Sequence, residues 1–253
     1  MKVRVIVATL GERESLENCF RSIKNQELPD KEVIIVTPLK KLKKVEELAK
    51  NIFEINYKII EDANNGLSAA INQGFNAKGD FKYFCWINDD DQLEAGSLQR
   101  SVSFMETNKD YSAVVGNLKY KFEKSKKVII NKVSKVNLLI SEIGPNLIPQ
   151  PGSLIRKDKI NNFLLNEKYN YAMDLDLFLR LKKNGKIGII KEVQAILNYD
   201  LNTITLKNRK EASKEAFKIR KLNAKNTLFK LLNVILYLPT VFLMYFVKSL
   251  IKS

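Results

Sequence analysis

Histidine is absent from the 253 residues of this chain, and cysteine occurs only twice. Without histidine, the chain cannot build a Ser-His-Asp or Cys-His catalytic centre, and it cannot bind a metal through imidazole. Acid–base and metal chemistry therefore fall to carboxylates. Cys19 and Cys85 both lie in apolar stretches, so we expect buried free thiols in a reducing compartment instead of a disulfide framework.

Glycine and proline are also sparse, with 10 and 6 residues, which excludes a collagen-like or low-complexity chain. Hydrophobic residues make up 45% of the sequence and charged residues 28%, which is the balance of a globular protein. The length is sufficient for one large α/β domain, or for two small domains, with a substantial core.

The net charge of +15 is distributed unevenly. Residues 207–253 contain 11 lysines and arginines but only two acidic residues, so this segment alone has a net charge of +9. A nucleic-acid-binding protein usually spreads its basic groups over a folded face, with aromatic residues among them. Here the charge accompanies an apolar segment, which favours an anionic membrane surface as the partner. Binding to nucleic acid is the less favoured alternative.

The apolar segment is Leu231–Val247, a run of 17 residues without a charge. A helix that spans a membrane needs about 20 mostly apolar residues, so the segment is marginal for a crossing. Pro239 divides it, which leaves a full crossing and a bent helix in one leaflet both open. We expect residues 207–253 to form a basic helix, Lys207–Asn226, followed by an apolar helical tail that associates with a membrane. A buried core helix is the alternative.

Apolar runs of strand length alternate with helical patterns over the first half of the chain. This alternation predicts an α/β fold with a mostly parallel sheet that helices cover on both faces. The ligand crevice of such a sheet lies at the carboxyl ends of its strands. The predicted strands are Val3–Ala8, Glu32–Thr37, Glu54–Ile60 and Lys82–Ile87, and the predicted helices are Ser15–Asn25, Lys41–Asn51 and Leu67–Ala77.

The pattern of the second half is less regular, but no linker composition separates it from the first. We therefore expect one domain over residues 1–206, in which residues 1–105 form one functional half and residues 106–206 the other. The pattern predicts a hairpin, a helix, a strand, a second helix and an extended segment. These are, in order, Ala113–Phe122 with Lys127–Asn131, Val136–Ile143, Ser153–Arg156, Asp174–Asn184 and Ile187–Tyr199.

Three adjacent carboxylates, in the string Asn88-Asp89-Asp90-Asp91, follow the predicted strand Lys82–Ile87. Neighbouring carboxylates repel one another, and burial adds to the cost of ionising them. A divalent cation relieves both effects, and Mg²⁺ and Mn²⁺ prefer oxygen ligands. The string therefore predicts a metal site that binds a substrate diphosphate. A solvated acidic turn is the alternative.

A glycine-containing turn precedes the predicted helix Leu67–Ala77. Gly66 can bend the chain tightly into this helix, after Asn64 and Asn65. The amino end of the helix would face the same crevice as the acidic string, and such an end favours a phosphate or a ribose hydroxyl.

A series of motifs follows the order and spacing of a known enzyme family. They are Val7–Arg13, Ser22–Gln26, Glu32–Val36, Gly66–Gly74, Ala77–Asp80, Trp86–Leu93, Gln150–Ser153 and Tyr171–Arg180. Together they resemble the inverting glycosyltransferases of family 2, of the type that acts in bacterial surface-polysaccharide assembly. The resemblance implies the GT-A fold, a nucleotide-sugar donor, a saccharide or lipid-linked saccharide acceptor, and Mn²⁺ or Mg²⁺ as cofactor.

The resemblance also implies roles for individual residues. Asp90 would bind the metal as part of an Asp-x-Asp motif whose first position is occupied here by Asn88. Asp174 would take the proton from the acceptor hydroxyl, cap a helix, or do both. The residues implied in binding the nucleotide sugar are Thr9, Arg13, Asn64, Gly66, Asn72, Asn88 and Asp91.

Two departures from the family pattern concern the nucleotide. Thr37 and Pro38 stand where the family usually has an acidic residue that reads the base, and Asn64 stands where it often has aspartate. These departures leave the nucleotide open, and a catalytically inactive GT-A membrane scaffold is the alternative to an enzyme. In either case, the basic and apolar tail predicts a location at the cytoplasmic face of a membrane.

Overall fold

The structure is a computed structural model that describes residues 2–53, 56–122, 126–160, 164–198 and 208–237. Its strands are β1 (Val3–Ala8), β2 (Lys31–Thr37), β3 (Tyr57–Glu61), β4 (Tyr83–Asn88), β5 (Asp91–Leu93), β6 (Tyr111–Phe122), β7 (Lys127–Asn131), β8 (Leu154–Arg156) and β9 (Lys186–Asn198). Its helices are α1 (Leu16–Lys24), α2 (Leu42–Phe53), α3 (Leu67–Asn76), α4 (Ser97–Thr107), α5 (Lys135–Ile140), α6 (Met173–Asn184) and α7 (Arg209–Asn223).

The strands form one sheet in the order β3-β2-β1-β4-β8-β6-β9-β5, and β7 pairs with β6. Four strands from the first half, β3, β2, β1 and β4, run parallel to one another, as the alternation predicted. The strands β5, β7 and β8 pair antiparallel to their neighbours, and β6 also pairs parallel with β9. The predicted α/β fold with a mostly parallel first half is confirmed.

Both faces of the sheet are buried, which explains why its central strands are mostly apolar. Val5 and Val7 of β1 pack with α1, α2 and α4 on one face. Ile6, between them, packs with α3, α5 and α6 on the other face. Alternate side chains of a strand point to opposite faces, so a strand that is covered on both sides has few polar positions. The free thiols of Cys19 and Cys85 are buried in the first of these two layers, as expected.

Two elements of the first half were not predicted. The strand β5 has three residues, Asp91–Leu93, and is too short to show a periodic pattern. Helix α4 buries two serines, Ser97 and Ser101, beside Leu98 and Met105, so its core-facing side lacks the apolar period of a helix. The strand predicted over Glu54–Ile60 is described as Tyr57–Glu61, and residues 54–55 lie outside the described residues.

The basic helix of the predicted C-terminal unit packs on α6, in the half formed by residues 106–206. Helix α7 contributes Ile219 to an apolar cluster with Leu175 and Leu179 of α6. Residues 227–237 are helical, and Asn233 within them is buried and donates a hydrogen bond of 3.0 Å to the backbone oxygen of Glu142. The described residues after the predicted boundary at residue 206 therefore pack onto the preceding domain.

Most of the predicted apolar tail, residues 238–253, lies outside the described residues. In the part of the chain that the structure describes, no helix combines the length and the apolar character that a membrane crossing requires.

Candidate active site

The acidic string forms a turn at the carboxyl end of β4, between β4 and β5. The chain after β1 reaches this turn because Ala8 pairs with Asn88 across the parallel strands. Thr9 Oγ1 donates a hydrogen bond of 2.6 Å to Asp89 Oδ2. The Nη1 atom of Arg13 lies 2.7 Å from Asp89 Oδ1 and 2.6 Å from Asp90 Oδ2. Four of the predicted site residues, Thr9, Arg13, Asn88 and Asp90, are therefore brought to one place.

Asp91, the third carboxylate, is 5% exposed. Asn88 Nδ2 donates a hydrogen bond of 3.3 Å to its Oδ2 atom. Burial, reinforced by the charge of Asp90, raises the pKa of Asp91 to about 8. A bound cation would favour the ionised form of this carboxyl, because an opposite charge offsets both the burial and the repulsion.

The donor set of the turn suits a hard divalent cation, since carboxylate and amide oxygens are the ligands that Mg²⁺ and Mn²⁺ prefer. Asp90 has the most accessible carboxylate of those that Arg13 contacts, with 33% of its side chain exposed against 10% for Asp89. Among the residues that the structure describes, no three aspartate, glutamate or cysteine side chains are grouped as a metal site. The fit of the turn to a cation rests on Asp90 and on the unfavourable burial of Asp91.

The glycine-containing turn before α3 lies beside the carboxyl ends of β2 and β3. The backbone N–H of Asp62 donates to the backbone oxygen of Thr37, which joins the two strand ends. Asn64 has a φ of +58° and its N–H donates a hydrogen bond of 2.9 Å to Asp62 Oδ1. Gly66, at the cap position just before α3, has a φ of +94°, a conformation that residues with a β-carbon rarely adopt. Asn64 and Gly66 thus shape the backbone of this turn.

The resemblance implied a role for Asn72 in donor binding, but its side chain bonds within the protein. It lies on α3, and its side chain both donates to and accepts from the backbone of Leu165, at 3.0 and 2.9 Å. The Nδ2 atom also lies 2.8 Å from Glu167 Oε1. Its amide is used to hold residues 165–167 against α3, so we assign Asn72 a structural role and leave it out of the donor contacts proposed below.

Asp174 is the second residue of α6 and is half-buried. Its Oδ1 atom accepts a hydrogen bond of 2.8 Å from the N–H of Leu175, and its Oδ2 atom accepts one of 3.1 Å from Asn146 Nδ2. Burial raises the pKa of this carboxyl. The helix begins at Met173 with Ala172 at the cap position, so Asp174 is not the capping residue.

One segment links Asp174 to the acidic turn. Asn146 holds Asp174, and Gln150 Nε2 donates a hydrogen bond of 2.9 Å to the backbone oxygen of Trp86, two residues before Asn88. Four residues of extended chain span at most about 14 Å, so a short segment connects Asp174 to β4. No sequence pattern assigns a role to Asn146. Gln150 belongs to the motif Gln150–Ser153, but no local pattern indicates its contact with Trp86.

Gly152 gives a test of how tightly this segment is packed. Its φ is +74°, and a β-carbon there would lie 2.8 Å from the backbone of Gln194. We expect Gly152→Ala to lower the free energy of unfolding by about 1–3 kcal/mol, measured by urea denaturation. Gly66→Ala is the control, because its φ is also positive but its β-carbon would meet no atom within 4 Å. Equal losses in the two variants would show that contact with Gln194 contributes nothing.

A family model described as "Glycosyl transferase family 2" matches residues 4–163, which is more than half of the chain. The chain belongs to this family. The protein is therefore a glycosyltransferase, as the resemblance implied. Among curated proteins, it is 26% identical over 230 residues to the GalNAc(5)-diNAcBac-PP-undecaprenol β-1,3-glucosyltransferase of Campylobacter jejuni. That alignment covers 86% of this chain and 70% of the relative.

Solved structures of other proteins have the same fold. The mannosyltransferase PcManGT of Pyrobaculum calidifontis, in complex with GDP-Man and Mn²⁺, matches with a TM-score of 0.69 and 14% identity, over 98% of this chain and 75% of its own. TarS residues 1–349 of S. aureus, in complex with UDP-GlcNAc, match with a TM-score of 0.66 and 14% identity. This match covers 88% of the present chain and 66% of the TarS chain. The chain spans only 39% of a longer TarS chain. These similarities confirm the predicted GT-A fold.

Proposed function

We propose that this family 2 glycosyltransferase moves a sugar from a nucleotide-sugar donor to an acceptor hydroxyl with inversion at the anomeric carbon. One observation carries the proposal. The acidic turn at Asp89–Asp91 follows β4, and residues 146–150 connect the same strand to the half-buried carboxyl of Asp174. A charged donor site and a proton acceptor are thus available to one substrate pair.

Known relatives support the substrate classes. The PcManGT structure contains GDP-Man and Mn²⁺, and the TarS structure contains UDP-GlcNAc. The name of the C. jejuni relative describes an acceptor saccharide on undecaprenol diphosphate. For this chain we accordingly propose a nucleotide-sugar donor, a divalent cation, and a lipid-linked saccharide acceptor in surface-polysaccharide assembly.

The donor side of the proposed site is the acidic turn. Asp90 would hold Mn²⁺ or Mg²⁺, and the bound cation would neutralise charge on the departing nucleoside diphosphate. Arg13 keeps the carboxylates of Asp89 and Asp90 in place, and half of its side chain is exposed toward solvent. Asn88 would donate to the ribose or to the outer coordination shell. The remaining donor contacts proposed are Thr9, Asn64, Gly66 and Asp91.

The acceptor side of the proposed site is Asp174. A carboxyl with a raised pKa binds a proton more strongly, so it is a better general base than an exposed aspartate. Asn146 fixes one carboxylate oxygen and the N–H of Leu175 fixes the other. We propose that Asp174 takes the proton of the acceptor hydroxyl as that oxygen attacks the anomeric carbon from the face opposite the diphosphate.

The experiment is a donor screen with the full chain, Mn²⁺, and UDP-glucose, UDP-GlcNAc or GDP-mannose, with release of nucleoside diphosphate as the readout. We expect one donor to be consumed, and consumed faster when an undecaprenyl-diphosphate-linked saccharide is added. Binding of a donor without turnover, with or without the lipid acceptor, would contradict the proposal and favour the inactive scaffold.

We also propose that the C-terminal segment associates with the cytoplasmic face of a membrane. Four apolar side chains on the helical residues 227–237 are more than half exposed, namely Leu228, Leu231, Val234 and Ile235. The exposed Lys225 and Lys230 accompany them, and the sequence continues into an apolar run. Exposed apolar side chains with nearby basic groups are typical of a surface that binds anionic lipid.

Replacing Leu228, Leu231, Val234 and Ile235 with serine tests this association without removing α7. We expect the bound fraction on phosphatidylglycerol-containing vesicles to fall at least about tenfold, because burying even one leucine stabilises by more than about 1.4 kcal/mol. Sedimentation with vesicles is the measurement. Leu139→Ser, which removes an exposed apolar side chain from α5, is the control. A full-length protein that stays in the supernatant at low salt would contradict the proposal.

A further inference from the structure

A side chain from α7 holds the segment that precedes α6. The carboxylate of Glu215 accepts hydrogen bonds from three consecutive backbone N–H groups. Its Oε2 atom accepts from Asn170 at 2.9 Å, and its Oε1 atom accepts from Tyr171 at 2.8 Å and from Ala172 at 2.7 Å. These residues are 43 to 45 positions away in the chain, and Glu215 lies beyond residues 4–163, which the family model matches.

No side chain at the cap position fixes the start of α6. The N–H groups at and near the start of a helix have no carbonyl partner within the helix. A capping side chain usually supplies one, but Ala172 occupies the cap position and has no polar atom. An ionised carboxylate is a strong acceptor, because hydrogen bonds to a charged group are shorter and stronger than neutral ones. Glu215 therefore fixes the three N–H groups that lead into α6, which lie before those that a capping side chain would bind.

Helix α7 is itself fixed along α6, so Glu215 is a firm anchor. Ile219, one turn after Glu215, is fully buried in the cluster with Leu175. Asn223, at the end of α7, donates a hydrogen bond of 3.3 Å to Asp176 Oδ1 and accepts one of 2.9 Å from Lys183. The orientation of the first turn of α6 is thus determined by its contacts with α7.

Asp174 lies in that first turn, two residues after Ala172. Its carboxylate is oriented from one side by Asn146 and by the N–H of Leu175. The backbone that carries it is oriented from the other side by Glu215. The charge of Glu215 also contributes to the raised pKa of Asp174, after the larger effect of burial, so the two carboxylates lie close enough to interact.

We infer that Glu215 is a positioning residue for Asp174, which it orients by binding the N–H groups of residues 170–172. The inference rests on the proposed role of Asp174 as the general base. Through Glu215, helix α7 is connected directly to the proposed general base. This helix lies between the half formed by residues 106–206 and the apolar tail.

The test compares Glu215→Ala, Glu215→Gln and Glu211→Ala in the full chain. We expect Glu215→Ala to lower kcat about 10²-fold, because small displacements of a catalytic group have effects of that size, while the donor KM changes less than about twofold. Glu215→Gln should recover most of the loss, since its amide oxygen can still accept from Tyr171 and Ala172. Glu211→Ala removes an exposed acid from the same helix and should leave kcat unchanged. The rate measured is nucleoside diphosphate release from the donor that the screen identifies.

A double variant separates positioning from general destabilisation. If Glu215 acts through Asp174, Glu215→Ala should lower the residual rate of Asp174→Asn by less than about twofold. The inference would be overturned if Glu215→Ala lowered the rate of Asp174→Asn by the same factor as it lowers the rate of the unmodified chain. It would also be overturned if kcat were unchanged in Glu215→Ala alone.

Amide hydrogen exchange tests the contact without any substrate. We expect the amides of residues 170–172 to exchange at least about tenfold faster in Glu215→Ala than in the unmodified chain, with no change in Glu211→Ala. Unchanged exchange would overturn the inference even if activity is lost. If exchange is faster in Glu215→Ala but Asp174→Asn is fully active, the proposed role of Asp174 as general base is wrong. The contact of Glu215 with residues 170–172 would still be supported.

Discussion

Asp174→Asn is expected to reduce sugar transfer by about 10²–10⁴-fold, the usual contribution of a general base. Asparagine keeps the size of the side chain and can still accept a hydrogen bond from Leu175, so the fold should be retained. Affinity for the donor should also be retained, because a base that acts on the acceptor hydroxyl makes no contact with the diphosphate. The measurements are kcat from nucleoside diphosphate release and donor affinity from calorimetry. Loss of donor affinity with turnover intact would show that the assigned role is wrong.

The pH dependence of the rate provides a second check on Asp174. Burial raises the pKa of this carboxyl, so its basic form is lost on acidification at a pH above the ordinary aspartate value of about 3.9. The rate should therefore fall as the pH drops through this raised pKa. The hydrogen bond from Asn146 lowers the pKa, so Asn146→Ala should move the acid limb to higher pH. Asp158→Asn, which removes an exposed acid, should leave the profile unchanged.

Asp90→Asn is expected to lower activity at least about 10²-fold, and EDTA should have a comparable effect on the unmodified chain. A bound cation contributes several kcal/mol of charge stabilisation in a transition state, and each 1.36 kcal/mol is a factor of ten in rate. Added Mn²⁺ should restore the unmodified chain after EDTA but not the variant. The fold should persist, because the carboxylate is partly exposed and β4 is buried by apolar side chains.

Asp80→Asn is the matched control for Asp90→Asn, because Asp80 is an exposed acid just before the amino end of β4. It should retain the activity and the Mn²⁺ dependence of the unmodified chain. Calorimetric titration of Mn²⁺ in the presence of the nucleoside diphosphate gives a readout besides turnover, and Asp90→Asn should weaken that binding. Full activity in EDTA would contradict the metal assignment.

The strands of the parallel half could be predicted because burial on both faces leaves a continuous apolar run. Tyr83–Asn88 and Lys31–Thr37 are such runs, and their observed bounds agree with the predicted ones to within one residue. The hairpin of β6 and β7 was predicted from its flanking patterns and is confirmed. In contrast, α4 could not be predicted, because tertiary packing buries serines on its inner side. An amphipathic helix is recognised in a sequence by apolar residues at those positions.

The sequence by itself determined the family, the parallel half of the sheet, and the position of the acidic string at the end of β4. Each of these depends on patterns and motifs whose own residues are close together in the chain. Only the tertiary structure decided that Asn72 holds Leu165, and that Glu215 holds the segment before α6.

The physical reason is that sequence patterns are local, whereas the contacts that build the site join residues far apart in the chain. A periodic pattern reports which face of a helix or strand is buried, and it does so within a few residues. The hydrogen bond between Thr9 and Asp89 joins residues 80 positions apart, and the one between Gln150 and Trp86 joins residues 64 apart. Such contacts exist because parallel strands end at one edge of the sheet and because α7 folds back onto α6. No local pattern of polar residues distinguishes a side chain that holds a loop from one that binds a substrate.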